Sequence, residues 1–262
     1  MKVMLLRYDT ERSDAEQMAG WLEKVIEVHR ADEIPISMFC LGHTLENRGQ
    51  EFRAFGNEVA DDPLFDLEDH SYSHIGLGYE AGPSLDELRD DYEKSFGLHR
   101  QVFDKSPLGT SICGTAGRDG AHLSGFDATE KSRQEFEMIA SMGVKMISAF
   151  LSGIDRSCQF HHFGRLGHPE IMGFPSNNGD TDWMRRKTYG DPMEYIRKCI
   201  RLSGEADKHL AVVMHDWVSW NYAPDKELTH VRQIADTARA HGYELRTHLA
   251  CYEDKALWQD VG

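Results

Sequence analysis

In Phe65-Asp66-Leu67-Glu68-Asp69-His70-Ser71-Tyr72-Ser73-His74 the first four residues read as a short strand that delivers two imidazoles four residues apart. That spacing predicts His70 and His74 on one face of a helical turn, both able to reach a single ion. Asp69, Ser71 and Ser73 crowd the pair with oxygens that can orient the rings from behind. With 14 His in 262 residues, such a pair alone is weak evidence. Its weight depends on what the rest of the chain brings to it.

Upstream, Lys2–Tyr8 reads as a buried strand ending in Asp9-Thr10-Glu11. Ser13-Asp14-Ala15-Glu16 has the form of a capping box for a helix carrying Met18, Trp21, Leu22, Val25 and Ile26 at helical spacing. Ile34–Leu41 is the next strand and Thr44–Ala60 the next helix. Downstream, Ser84 caps a helix running to about Phe103, Thr110–Cys113 is a strand, Ala128–Met142 a helix and Val144–Phe150 a strand. From 151 to 189 the pattern dissolves, apart from a short apolar strand at Ile171–Phe174. A stretch of that length in a compact domain is usually functional, so it reads as a loop-rich lid or specificity segment. A helix from Asp191 to Glu205, a strand Leu210–Met214 ending in His215-Asp216-Trp217, a helix Lys226–His241 and a strand Tyr243–Thr247 complete the chain. Strands alternating with helices of this length imply parallel pairing and a distorted (β/α)7–8 barrel, a single domain over 1–262.

The chain is 40% hydrophobic and 28% charged, as a soluble globular protein is. A net charge of −15 argues against nucleic acid or an anionic membrane as partner. Five scattered Cys without a C-x-x-C spacing fit a reducing compartment. Met1–Leu6 is too short for the apolar core of a secretion signal, and no run approaches the ~20 residues of a membrane span. The expectation is a cytoplasmic protein with no transmembrane segment; a homo-oligomer is left open.

In a parallel barrel, chemistry collects at the C-terminal ends of the strands. Four signals fall there: Asp9 with Glu11, His70 with His74, Arg118, and His215 with Asp216. Singly, each has a plain structural reading as a cap, a solvated charge or a core histidine. Together on one rim they describe a site.

The motifs Asp-x-Glu after strand one, His-Ser-x-x-His after strand three and a late apolar-His-Asp resemble those of the polysaccharide deacetylase superfamily, in the same order and over nearly the whole chain. The resemblance implies a barrel that holds one divalent ion, most often zinc, with a carboxylate and two His. His70 and His74 would be ligands. Asp9 would be the base and Glu11 the third ligand, or the reverse, with Asp9 as ligand. His215 would be the acid, held by Asp182 or Asp180, with Trp183 and Trp217 walling the pocket. The usual Arg-x-Pro motif is absent. Cys113-Gly114-Thr115-Ala116-Gly117-Arg118-Asp119 is similar instead to a segment of the enzymes that deformylate a 4-deoxy-4-formamido-arabinose lipid. Arg118 would then pair with the base or with an anionic substrate group. In the 151–189 segment His161, His162 and Arg165 are substrate-contacting or structural; adjacent His on an extended chain point oppositely and do not share an ion.

The implied activity is removal of an acetyl or formyl group from a small N-acylated sugar or sugar conjugate. Two alternatives share the barrel: a metal-independent hydrolase of cyclic amides, and a catalytically silent sugar-binding protein.

Overall fold

A computed structural model describes residues 1–12, 15–77, 82–113, 129–150, 160–176, 178–180, 192–206, 208–222 and 226–257. Strands β1 (Lys2–Thr10), β2 (Ile36–Cys40), β3 (Phe65–Asp69), β4 (Gly109–Ile112) and β5 (Met146–Phe150) alternate with helices α1 (Ala15–Ala31), α2 (Gly42–Glu58), α3 (Leu85–Phe103) and α4 (Glu130–Ser141). Then come β6 (His161–Phe163), β7 (His168–Ser176), β8 (Asn178–Gly179), α5 (Pro192–Glu205), β9 (Leu210–His215), α6 (Asp216–Tyr222), α7 (Thr229–Ala240), β10 (Tyr243–Arg246) and α8 (His248–Glu253).

The sheet order is β6-β7-β5-β4-β3-β2-β1-β9-β8, and every pairing is parallel except the β6–β7 hairpin. β7 curls back alongside β9 without a hydrogen-bonded ladder between them among the described residues. The result is a distorted (β/α) barrel, not an open sheet. β1 has two partners on one side: Lys2–Leu5 pair with Tyr243–Arg246 of β10, and Arg7–Thr10 with Ser37–Cys40 of β2. Its other edge pairs with β9 from Met4 to Asp9.

Strand alternation divides the core in two. Met4, Leu6 and Tyr8 face outward, join Met38, Val212 and Met214, and pack under α1, α5 and α7. Val3 and Leu5 face inward and join Met146, Met172, Phe174 and Ala211. Above that inner apolar layer the barrel turns polar. Arg7 Nη1 donates to Ser148 Oγ at 2.6 Å, Ser37 Oγ donates to Asp66 Oδ2 at 3.1 Å, and Glu68 Oε2 accepts from the backbone of Leu108 and Gly109. α3 begins with the expected Ser84 cap, which the structure completes as a capping box in which Glu87 reciprocates. The proposed box at Ser13 lies outside the described residues.

The 151–189 segment differs from expectation where it is described. Residues 160–176 form a hairpin whose second strand, β7, is a buried stave of the barrel. Pro169, Gly173 and Pro175 interrupt its β-branched and aromatic residues, which masks the strand in a reading by propensity. No described helix is long and apolar enough to cross a membrane.

Four imidazoles, His29, His99, His230 and His248, are buried and neutral. Burial holds them at about 4, 3, 4 and 3 respectively, against an ordinary value of 6.5. The unfolded chain therefore binds protons at these sites from pH ~6.5 downward while the folded chain does not, so stability falls with pH. Asp66, Glu68, Asp69, Asp180 and Asp216, raised by burial, and His70, His168 and His215, raised against burial by the groups around them, act in the opposite sense. Relative to the unmodified protein, His99→Leu is expected to gain in urea midpoint as the pH goes from 7 to 5, because it lacks one of the sites that take up a proton only on unfolding.

Candidate metal and acid–base site

The C-terminal ends of β1, β3, β4 and β9 meet at one rim, where Asp9 of β1 stands in register with His215 of β9. Glu11, just past β1, is the focus. Its Oε1 lies 3.4 Å from His70 Nε2, 3.2 Å from His74 Nε2 and 3.8 Å from His215 Nε2. Its Oε2 accepts from the Trp217 indole at 3.1 Å. Asp9 sits deeper. Its Oδ2 accepts from Arg7 Nη2 at 2.9 Å and lies 3.9 Å from His70 Nε2, and Oδ1 accepts from Ser111 Oγ at 3.3 Å.

The two His do not share a helical turn, as their spacing had predicted. Residues 70–77 form an irregular loop in which Ser71 and His74 have left-handed backbones, φ 59° and 62°. The rings still converge, with centroids 5.1 Å apart and nearly perpendicular planes. Left-handed residues other than glycine are strained and persist where surrounding contacts impose them. Here Asp91 of α3 accepts from the backbone N–H of Tyr72 (2.7 Å) and Ser73 (3.2 Å), and Gly42 and His43 of α2 donate to the Ser71 and Tyr72 carbonyls. The approach of α2 is close enough to need glycine: a Cβ at Gly42 would lie 2.8 Å from Ser95 Oγ and 3.0 Å from Tyr72 Cα. Gly42→Ala is expected to cost about 1–3 kcal/mol and to loosen metal retention by displacing the loop. Urea titration and metal stoichiometry check both.

The ring of His70 is oriented by Ser111, not by Asp69. Nδ1 donates to the Ser111 carbonyl at 3.2 Å and also meets Ser111 Oγ, which leaves Nε2 facing Glu11. Asp69 instead ties the β3 end to its neighbours, accepting from Ser71 N, Ser95 Oγ and Thr110 Oγ1.

His215 is fixed twice by Asp180: its backbone N–H donates to Oδ2 at 2.6 Å and its Nδ1 to Oδ1 at 2.7 Å. Burial alone would push this imidazole down, but the Asp180 carboxylate, with Asp9 and Glu11 beyond, raises it to about 9. Burial works to raise Glu11, yet the imidazoles of His70 and His74 hold it well below the carboxylate range. Asp9 likewise stays ionised against its burial, chiefly because of Arg7. Asp216 accepts from the backbone N–H of Glu11 (3.2 Å) and Arg12 (2.8 Å), and so locks the chain after β1 onto the end of β9.

Asp9, Glu11, His70, His74, His215 and Trp217 therefore come together, and Asp180 joins them. Arg118, Asp182 and Trp183 lie outside the described residues. His161, His162 and Arg165 do not join the group. His161 and His162 belong to the β6 edge, and Arg165 to the 3-10 turn that precedes β7, at the opposite end of the barrel from the rim. Sequence reasoning missed Arg7. It is two residues before Asp9 on one strand, and that spacing on an inward face was the available signal.

The donors fit a divalent ion. Each imidazole nitrogen lies 3.2–3.4 Å from the Glu11 oxygen, close to the edge of about 3.3 Å in a tetrahedron with metal–ligand distances of about 2.0 Å. The Ser111 carbonyl on the far nitrogen of His70 is the usual support for such a ligand.

No family model and no curated protein matches the sequence. Solved structures do. A protein described as a polysaccharide deacetylase from Mycobacterium smegmatis superposes with a TM-score of 0.68 at 13% identity, covering 100% of this chain and 92% of that one. This is the polysaccharide deacetylase fold. A family 4 carbohydrate esterase from Streptomyces lividans, in complex with acetate, shares the deacetylase fold at TM-score 0.55 and 13% identity over 94% of this chain and 91% of its own. A family 4 pseudoenzyme from Bacillus anthracis matches at 0.59 and 11% identity; the match spans 97% of this chain and 66% of the pseudoenzyme. Within the deacetylase fold the cluster around Glu11 lies at the strand ends, where barrels of this kind carry their chemistry.

Proposed function

We propose that the protein is a metal-dependent hydrolase that removes an acetyl or formyl group from the nitrogen of a small amino sugar or sugar conjugate. The observation that carries this reading is the convergence of three imidazole nitrogens on one oxygen of Glu11, with a second carboxylate, Asp9, 3.9 Å from His70 Nε2. Neither a cyclic-amide hydrolase without metal nor a silent sugar-binding barrel has a use for that cluster.

Glu11, His70 and His74 would hold the ion. When bound, it acidifies a water molecule and polarises the acyl oxygen. Asp9, kept ionised by Arg7, takes the proton of the attacking water. His215, kept as imidazolium by Asp180, gives its proton to the departing amine, which is too poor a leaving group without one. Trp217 holds Glu11 in place through its indole N–H. The sugar class is supported by the company of carbohydrate esterases and deacetylases among the structural neighbours.

The test is to load the purified protein with zinc and follow acetate or formate release from N-acetyl and N-formyl amino sugars. Metal-dependent release supports the reading; stoichiometric metal with no release from either series overturns it. The role of His215 sets the alkaline limit of activity. It must be protonated, so kcat falls as pH rises through its pKa. Asp180→Asn removes the charge that raises that pKa, and the alkaline limb of its pH profile is expected at lower pH than that of the unmodified protein.

A further inference from the structure

Three of the described cysteines are packed as small hydrophobes: Cys40 and Cys199 in the outer apolar core, Cys251 in the inner one. Cys113 is equally buried, at 0% exposure, but belongs to neither, nor to the apolar cluster between α3 and α4. Its surroundings are polar and belong to the rim. Sγ lies 3.7 Å from His70 Nε2, 3.6 Å from Nδ1 of the same ring, 3.3 Å from the His70 carbonyl and 3.4 Å from Ser71 Oγ. Together with one nitrogen from each of His70 and His74 it forms a set in which every ligand atom lies within 4.8 Å of the others. In a tetrahedral centre with metal–nitrogen and metal–sulfur distances of about 2.0 and 2.3 Å, sulfur and nitrogen stand about 3.5 Å apart. The Sγ–Nε2 separation is close to that value.

Strand geometry explains the placement. Ser111 and Cys113 are two residues apart at the end of β4, so their side chains point the same way. The first orients the ring of His70, and the second packs against the same ring.

We propose that Cys113 is a further protein ligand of the ion, as thiolate, beside Glu11, His70 and His74, and that it selects a thiophilic ion such as zinc or cobalt over magnesium or manganese. The proposal rests on the metal-dependent reading above. Coordination displaces the thiol proton to solvent, and water enters as a fifth ligand, an expansion that zinc allows. A soft sulfur donor disfavours the hard, oxygen-seeking ions.

Two measurements on the purified full-length protein test it, neither depending on turnover. Zinc-edge X-ray absorption of the unmodified protein is expected to show a sulfur neighbour at about 2.3 Å beside nitrogen and oxygen at about 2.0 Å. Cobalt(II) loading is expected to give the intense near-ultraviolet thiolate-to-metal band, absent in Cys113→Ser and Cys113→Ala although both still bind one cobalt. In those variants the preference for zinc over manganese should fall by about tenfold or more. One zinc or cobalt bound without a sulfur signature overturns the thiolate ligand and leaves the hydrolase reading standing, as does a band that survives both substitutions. Failure of the unmodified protein to bind any ion overturns both. Because the absorption experiment uses the unmodified chain, misfolding of a variant does not blunt the test.

Discussion

His215→Ala is expected to lower kcat by about 10²–10⁴-fold, the usual worth of one acid–base group, while the protein keeps its metal. The imidazole has one nitrogen occupied by Asp180 at 2.7 Å and the other turned toward the Glu11 cluster, 3.8 Å from Oε1. It is thus fixed, charged and aimed, but it is the most distant of the three nitrogens from that oxygen. Its loss should remove a proton donor and leave the Glu11, His70 and His74 donors in place. Parallel measurement of kcat and of metal per chain separates the two roles. Unchanged turnover on an accepted substrate would take the acid role away from His215, whatever the fate of the metal.

His70→Ala is expected to abolish stoichiometric metal binding, and with it all metal-dependent turnover. The side chain is 1% exposed and sits between Glu11 and Ser111, so the substitution also leaves a cavity in the rim. Truncating a buried group of this size costs stability on its own account. His74→Ala provides the control. That side chain is 41% exposed, so its removal should cost little stability, yet it contributes the shortest of the three contacts to Glu11, 3.2 Å. Metal lost in both variants with only His70→Ala less stable is the expected result, read by elemental analysis and urea titration. Full metal content in His74→Ala would remove it from the ligand set.

Much of this arrangement was legible from residue order. Strands that are largely apolar and then turn acidic or imidazole-bearing announce a rim, as Lys2–Glu11 and Leu210–Asp216 do, while Phe65–His74 announces it through its His pair. The convergence of His70 and His74 was foreseen, but by the wrong local geometry. A spacing of four suggests a helix, whereas tertiary contacts from Gly42 and Asp91 impose a left-handed loop. The choice between Asp180 and Asp182 as the partner of His215 was open because loop register after a two-residue strand is not encoded in a local pattern; among the described residues Asp180 makes the contact. Arg7 escaped notice because a charged residue inside an apolar run reads as a strand end. In the fold it lies within the barrel, satisfied by Asp9 and Ser148. Cys113 escaped notice because burial and composition make cysteine look like any other small apolar residue; only its neighbours distinguish it.

The position of β1 has a consequence for how the molecule is made. This strand carries Asp9 and leads into Glu11, yet its register partners include residues 210–215 and 243–246. During synthesis it leaves the ribosome long before either partner exists. Nine residues, eight of them buried in the finished protein, must wait with unsatisfied edges. Pairings of such high contact order form slowly and expose strand edges to other chains meanwhile. Neither carboxylate reaches its working position until residues 210–215 and 243–246 have been made, so the rim assembles in a late step that brings β9 and β10 to β1.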